Sequence, residues 1–112
     1  MRIGLLVLVI GLLAVPAGAQ ESAAIAQGQK VYTAQKCSTC HSIAGKGNQK
    51  GPLDEVGSKL TADEIREWVV NAEEMTKKTK AMRKPAMKSY PKLPKSDVDA
   101  LVAYLHSLKK KS

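Results

Sequence analysis

The 112-residue chain contains no phenylalanine, one tryptophan and three tyrosines. A small domain so poor in large apolar side chains has little from which to build a core. At this size a metal, disulfide or cofactor commonly supplies the missing apolar body. Cysteine and histidine are scarce too, two of each, so the second spaced ligand pair of a structural zinc site is missing. No internal repeat occurs, and no Ser/His/Asp set, paired catalytic carboxylates or phosphate-binding loop stands out. Asp63-Glu64 and Glu73-Glu74 read as solvated helix faces. The pattern points to a protein that performs no bond-making catalysis, and not to an enzyme.

Acidic residues are absent between Glu74 and Asp97, where Lys77, Lys78, Lys80, Arg83, Lys84, Lys88, Lys92 and Lys95 all fall. The net charge of +8 is therefore concentrated, and a basic surface of this kind steers encounter with an acidic partner. Nothing resembles a nucleic-acid module, so a protein partner is the expectation.

The first residues read as an export signal. Met1-Arg2 gives a positive start, Ile3 to Val15 is almost wholly apolar, and Ala17-Gly18-Ala19 offers a small-x-small cleavage pattern. Cleavage after Ala19 leaves residues 20–112 as one domain, exported to the periplasm, where a monomer is expected. The alternative is an uncleaved anchor, because the apolar run approaches the roughly 17 to 25 residues that span a bilayer. Membrane contact is expected only through that anchor or through a membrane-bound partner. No cysteine near the cleavage site supports a lipid anchor.

Four segments follow. About Ala23 to Lys36 reads as a first helix; its interior Gly28, which costs roughly 1 kcal/mol of helix propensity against alanine, suggests close approach of another backbone. His41 to Leu60 is loop-like, broken by Gly45, Gly47, Gly51, Pro52 and Gly57. Thr61-Ala62-Asp63-Glu64 is a capping box, and Ile65, Trp68 and Val69 form one apolar face of the helix it opens, to about Asn71 or a little beyond. Glu73 to Pro94 is ambiguous, since Pro85, Pro91 and Pro94 forbid a long helix. In the last helix Val98, Leu101, Val102, Leu105 and Leu108 mark a stripe, with Asp97 and Asp99 near its positive end. The chain reads as all-α, without a convincing strand.

Both cysteines and one histidine cluster in Cys37-Ser38-Thr39-Cys40-His41. The spacing C-x-x-C-H is the attachment signature of c-type haem. Two thiols one turn apart can add to the two vinyl groups on one edge of the porphyrin, and His41 is then held where its imidazole can bind iron. A thiol–disulfide oxidoreductase would use the same cysteines but needs a βαβ scaffold, for which there is no sign.

Gly28 with Val31-Tyr32, the CSTCH motif, Gly51-Pro52-Leu53, Ile65 to Trp68, and Met87 to Leu93 leading into Asp97 to Leu105 occur in the order found in small bacterial class I cytochromes c, which the chain strongly resembles. The resemblance implies a helical shell around one covalent haem c, held through Cys37 and Cys40. It implies that Gly28 and Tyr32 meet Leu101, Tyr104 and Leu105 where the first and last helices cross. It implies that the Pro52 carbonyl accepts a hydrogen bond from His41, and that Trp68 and Tyr90 lie near the haem. Iron is then ligated by His41 and by a methionine. Met87 is favoured by its frame M-x-x-Y-P-x-L before the last helix, with Met82 and Met75 as alternatives. His106, late on the last helix, reads as a surface residue.

Two departures from the family pattern stand out. Lys88 replaces the proline that usually follows the ligand methionine. Pro94 replaces the usual helix cap, so that Ser96 is expected to cap the last helix instead. The implied function is one-electron transfer between redox partners. The alternatives are a subunit of a periplasmic dehydrogenase or oxidase, or a haem sensor or peroxidase with a labile sixth ligand.

Overall fold

Two helices from opposite ends of the chain form the frame. In a computed structural model that describes residues 4, 7–14 and 16–111, α1 (Ala17–Ala34) packs along α5 (Lys95–His106). The reason for the interior glycine is visible at their contact. A Cβ on Gly28 would fall on the Ala100 carbonyl and lie 2.5 Å from the Tyr104 Cβ, so only hydrogen fits there. One turn on, Tyr32 meets Tyr104 edge to face, with ring centroids 6.0 Å apart. The glycine thus meets Ala100 and Tyr104. The helix begins earlier than the sequence pattern indicates, at Ala17. Removing Ala17 to Ala19 would leave its packed part, which starts near Ala24, untouched.

Of the amino-terminal segment, Met1, Arg2, Ile3, Leu5, Leu6 and Val15 lie outside the described residues, as does Ser112. That sets the charged start and part of the apolar run aside. The described apolar residues Val7 to Ile10, Leu12 and Leu13 are exposed. Among the described residues no helix is long and apolar enough to cross a membrane.

The capping box at Thr61 is present: the Glu64 N–H donates to Thr61 Oγ1 at 3.1 Å, and the Thr61 N–H donates to Glu64 Oε1 at 3.0 Å. It opens α3 (Ala62–Val70), whose Ile65 and Val69 are buried. The helix does not run on. Asn71 leaves helical geometry at φ −141°, ψ 43°, and α4 (Ala72–Thr79) starts at once beyond it. Arg66 ties α3 to α5 through Asp99 at 2.8 Å, and Lys95 reaches the same carboxylate at 2.8 Å. Hydrogen bonds from Lys95 and then Arg66 hold the Asp99 carboxyl below its ordinary range. Both pairs are solvent-exposed and contribute little.

The capping expectation for α5 is corrected. Pro94 itself is the N-cap, with extended ψ 143° and no side-chain cap bond. The N–H groups of Asp97 and Val98 both donate to its carbonyl at 3.0 Å. Ser96 therefore lies inside the first turn, too late to cap it. Val98, Leu101, Val102 and Leu105 are buried as the stripe requires. Leu108 falls beyond the helix end but packs against the same cluster.

The stretch from His41 to Leu60 is more ordered than a loop. Ser42–Ile43 (β1) and Lys46–Gly47 (β2) form an antiparallel two-residue ladder, Ser42 opposite Gly47. Ala44 and Gly45 turn between them with φ of 51° and 78°, the doubly left-handed turn that suits a hairpin's twist. A short α2 (Val56–Lys59) is fastened to the end of the chain: the Gly57 N–H donates to the Leu108 carbonyl at 2.7 Å, and the Lys110 N–H to Ser58 Oγ at 2.7 Å. The fold remains all-α in class, with this ladder as its one departure among the described residues.

Candidate haem site

The end of α1 aims the motif. The Gln35 N–H donates to the Val31 carbonyl at 2.9 Å, and Lys36 then takes a left-handed conformation at φ 56°. For a residue with a Cβ this costs on the order of 1 kcal/mol, and it turns the chain sharply into a 3-10 turn at Cys37–Thr39. The N–H groups of Cys40 and His41 both donate to the Cys37 carbonyl, at 3.1 and 3.0 Å. This tight turn brings both thiols and the imidazole to one cavity, and both cysteines are free thiols. Burial pushes the Cys37 thiol above its ordinary value, and the neighbouring Cys40 adds to the effect.

The cavity measures about 270 Å³ and its walls are overwhelmingly apolar: Leu53, Val56 and Leu60 on one side, Ile65 and Val69 from α3, Leu101 and Leu105 from α5. Cys37, Cys40 and His41 reach it from the motif, and Trp68, Met87 and Tyr90 all line it. Of the residues expected at the site, the structure therefore brings together six.

The seventh, Pro52, does not line the cavity and is not the partner of His41. His41 Nδ1 lies 3.0 Å from the carbonyl oxygen of Gly51. The reason is the local ladder. Ser42 forms a parallel bridge to Pro52, donating to the Gly51 carbonyl at 3.1 Å and accepting from the Leu53 N–H at 2.8 Å. In such a bridge the bonds run to the residues flanking the partner, and proline has no N–H to give. The carbonyl turned toward His41 is thus the one before the proline.

That bond sets the chemistry of the ring. A carbonyl oxygen can only accept, so Nδ1 carries the proton and donates it. In the neutral imidazole the free lone pair is then on Nε2, the form a metal requires. Burial lowers the His41 pKa below its ordinary value, the Gly51 bond opposes this, and the Arg83 charge lowers it further. The net direction favours the neutral, ligating form.

The three candidate methionines fall into three environments. Met75 is buried in α4 and does not line the cavity. Met82 is 87% exposed. Met87, half-buried, has its side chain at the cavity wall. His106 lies away from the cavity, 3.3 Å from the Lys109 ammonium.

Among the lining residues that escaped the site expectations, Tyr32 and Arg83 bring polar groups to the cavity. Tyr32 presents a buried hydroxyl with no hydrogen-bond partner; burial raises its pKa to about 12. Its aromatic side chain before the motif was legible, but its packing partner in α5 accounted for it. Arg83, exposed and hidden in sequence among the lysines, sets its guanidinium against the Gly51 backbone at the cavity edge.

A flat apolar group with polar edges suits this enclosure. The walls match its faces, two thiols stand together at one side, an imidazole with a free Nε2 and a thioether supply a nitrogen and a soft sulfur donor, and an orphaned hydroxyl waits for an acceptor. The family model for cytochrome c matches residues 25–109. The chain belongs to the cytochrome c family. As a class I c-type cytochrome domain it has a haem-based electron-transfer function, with Cys37 and Cys40 at the attachment spacing. Among curated proteins, cytochrome c oxidase subunit 2 of Alkalihalophilus pseudofirmus is 30% identical to this cytochrome domain over 86 residues, which are 74% of the chain and 25% of that protein. The chain therefore spans about a quarter of that relative's length. No solved structure matches this chain.

Proposed function

We propose that this cytochrome domain is an exported single-electron carrier of the periplasm, with one haem c ligated by His41 and Met87. The observation that carries the reading is that Met87, alone of the three mature-chain methionines, lines the apolar cavity that also receives His41 and both thiols. Bound there, the haem supplies a one-electron iron couple. Cys37 and Cys40 would hold it, each thiol adding its S–H across a vinyl double bond, a step that needs no oxidant. The Gly51 carbonyl holds the His41 ring in one orientation and raises its basicity. As a ligand the Met87 thioether would favour the reduced metal and raise the potential relative to a second imidazole. Apolar walls from α3 and α5 exclude water, so little rearranges as charge moves.

The proposed docking surface is the basic stretch around Met87, of which Arg83 reaches the cavity edge. Lys78, Lys80, Arg83, Lys84, Lys88 and Lys92 are all exposed and make no ion pair among the described residues. Acidic redox partners are the natural match, through the small interfaces typical of electron-transfer encounters.

The test is a spectrum of the exported protein, purified from a host that attaches haem, in both oxidation states. Covalent haem surviving denaturation and a ferric methionine–sulfur band are expected. A folded but colourless product overturns the proposal. The bimolecular transfer rate should fall as salt rises; a flat response removes the electrostatic part. A second reading, an electron-entry module bound to an oxidase, is favoured by the likeness to cytochrome c oxidase subunit 2. Stable co-migration with a membrane oxidase in detergent would select it.

A further inference from the structure

The break between α3 and α4 is a socket for the segment that follows Met87. In an unbroken helix the Glu73 N–H would donate to the Val69 carbonyl, the i to i−4 rung. Asn71 interrupts that rung by leaving helical geometry. Its two ends are taken up instead by the loop: the Glu73 N–H donates to Ser89 Oγ at 3.2 Å, and the Tyr90 N–H donates to the Val69 carbonyl at 2.8 Å. Ser89-Tyr90 is thus spliced into the missing rung. The helical ladder holds up to the break and resumes after it, Asn71 N–H to the Glu67 carbonyl at 2.8 Å and Met75 N–H to the Asn71 carbonyl at 3.1 Å.

We infer that Ser89 is the positioning residue for Met87, and that the interrupted rung gates the sixth ligand position. The inference rests on the reading of Met87 as that ligand. Met87 stands two residues before the splice, with an exposed run from Lys77 to Ala86 on its other side. No proline stiffens the residue after it. Lys88 instead sets its ammonium 5.3 Å from the centre of the Tyr90 ring, a contact that is weak at an exposed site. When Ser89-Tyr90 withdraws and Asn71 returns to helical geometry, Glu73 N–H and Val69 C=O can pair with each other, so the helix recovers a bond that the loop gives up. This makes the withdrawn state accessible, as a minor population that an outside ligand can select.

The experiment measures imidazole binding to the ferric holoprotein, with the methionine–sulfur band followed in the same titration. Apparent affinity scales with the fraction of molecules whose sixth position is open. Ser89→Ala removes the acceptor for Glu73 and is expected to raise imidazole affinity about three- to tenfold, the range of one net hydrogen bond, with a weakened band. Thr61→Ala destabilises the amino-terminal end of α3, far from the splice in sequence, and is expected to leave imidazole affinity unchanged. Affinity for Ser89→Ala within a factor of two of the parent, or an equal rise in Thr61→Ala, overturns the positioning role. A parent protein without the methionine–sulfur band fails earlier, because then the ligand reading itself falls. A parent that has the band and is indifferent to Ser89→Ala leaves that reading standing and removes only the gate.

Discussion

The crossing of α1 and α5 and the segment from Lys80 to Tyr90 are held by opposite means. At the crossing, two backbones touch through Gly28 and are surrounded by Val31, Val98, Leu101 and Leu105, all buried. The segment that carries Met87 is exposed along most of its length. Its ties to the α3–α4 region and to the cavity edge are the Glu73 N–H bond to Ser89 Oγ, the Tyr90 N–H bond to the Val69 carbonyl, the Arg83 contact on Gly51 and the packing of Tyr90 against the core. Close packing is unforgiving of volume changes, whereas a few exposed polar bonds are each worth little net. One region carries the stability and the other carries the adjustable ligand.

The largest test breaks the crossing. Gly28→Val puts a branched side chain onto the Ala100 carbonyl and Tyr104, and a loss of about 3 kcal/mol or more is expected, read as a collapse of the thermal midpoint. A near-normal midpoint would show that the helices can part without cost. Leu101→Ala, in the same buried cluster, is expected to lose about 2–5 kcal/mol through the cavity it leaves, measured by denaturant titration.

Met87→Ala sharpens the contrast from the other side. The methionine–sulfur band should vanish and the reduction potential should fall, while helical circular dichroism stays at the parent level. If helicity falls with the band, the loop contributes more to the fold than its exposure indicates. Thr61→Ala is a smaller structural change, about 1 kcal/mol from the lost cap, with axial ligation intact.

The smallest effect concerns Tyr32. Its pKa lies above the ordinary value of 10.0, at about 12, so the folded state keeps a proton that the unfolded state has lost. Stability from this source is complete below pH 10 and is lost as pH rises toward 12. Tyr32→Phe should flatten the decline of the thermal midpoint across that window relative to the parent. An unchanged slope would mean that the hydroxyl is better solvated than its buried position implies.

Much of this was legible because it is local or periodic. The C-x-x-C-H spacing, the Thr61–Glu64 box and the apolar stripe of α5 each depend on residues within one or two turns, and short-range geometry reproduces them wherever they occur. Gly28 announced a close approach and the family resemblance named Tyr104 as a partner, but Ala100, whose carbonyl lies nearest, was not foreseen. The expected carbonyl partner of His41 was one residue off, because the parallel bridge between Ser42 and Pro52 runs its bonds to the residues flanking the proline, and that depends on where Ser42 lies. The end of α3 near Asn71 was expected, but the immediate start of α4 beyond it was not, since no glycine or proline marks the break.

What the amino-acid order determined alone is the chemistry: two thiols, an imidazole and a choice of thioethers, with a concentration of positive charge around the last of them. The frame around Met87 favoured it in advance, but that its side chain reaches the cavity, which carbonyl orients the ring and how the ligand segment is moored were decided only by packing. Those choices depend on backbone groups brought together across tens of residues, and a backbone donor or acceptor has no letter of its own in a sequence.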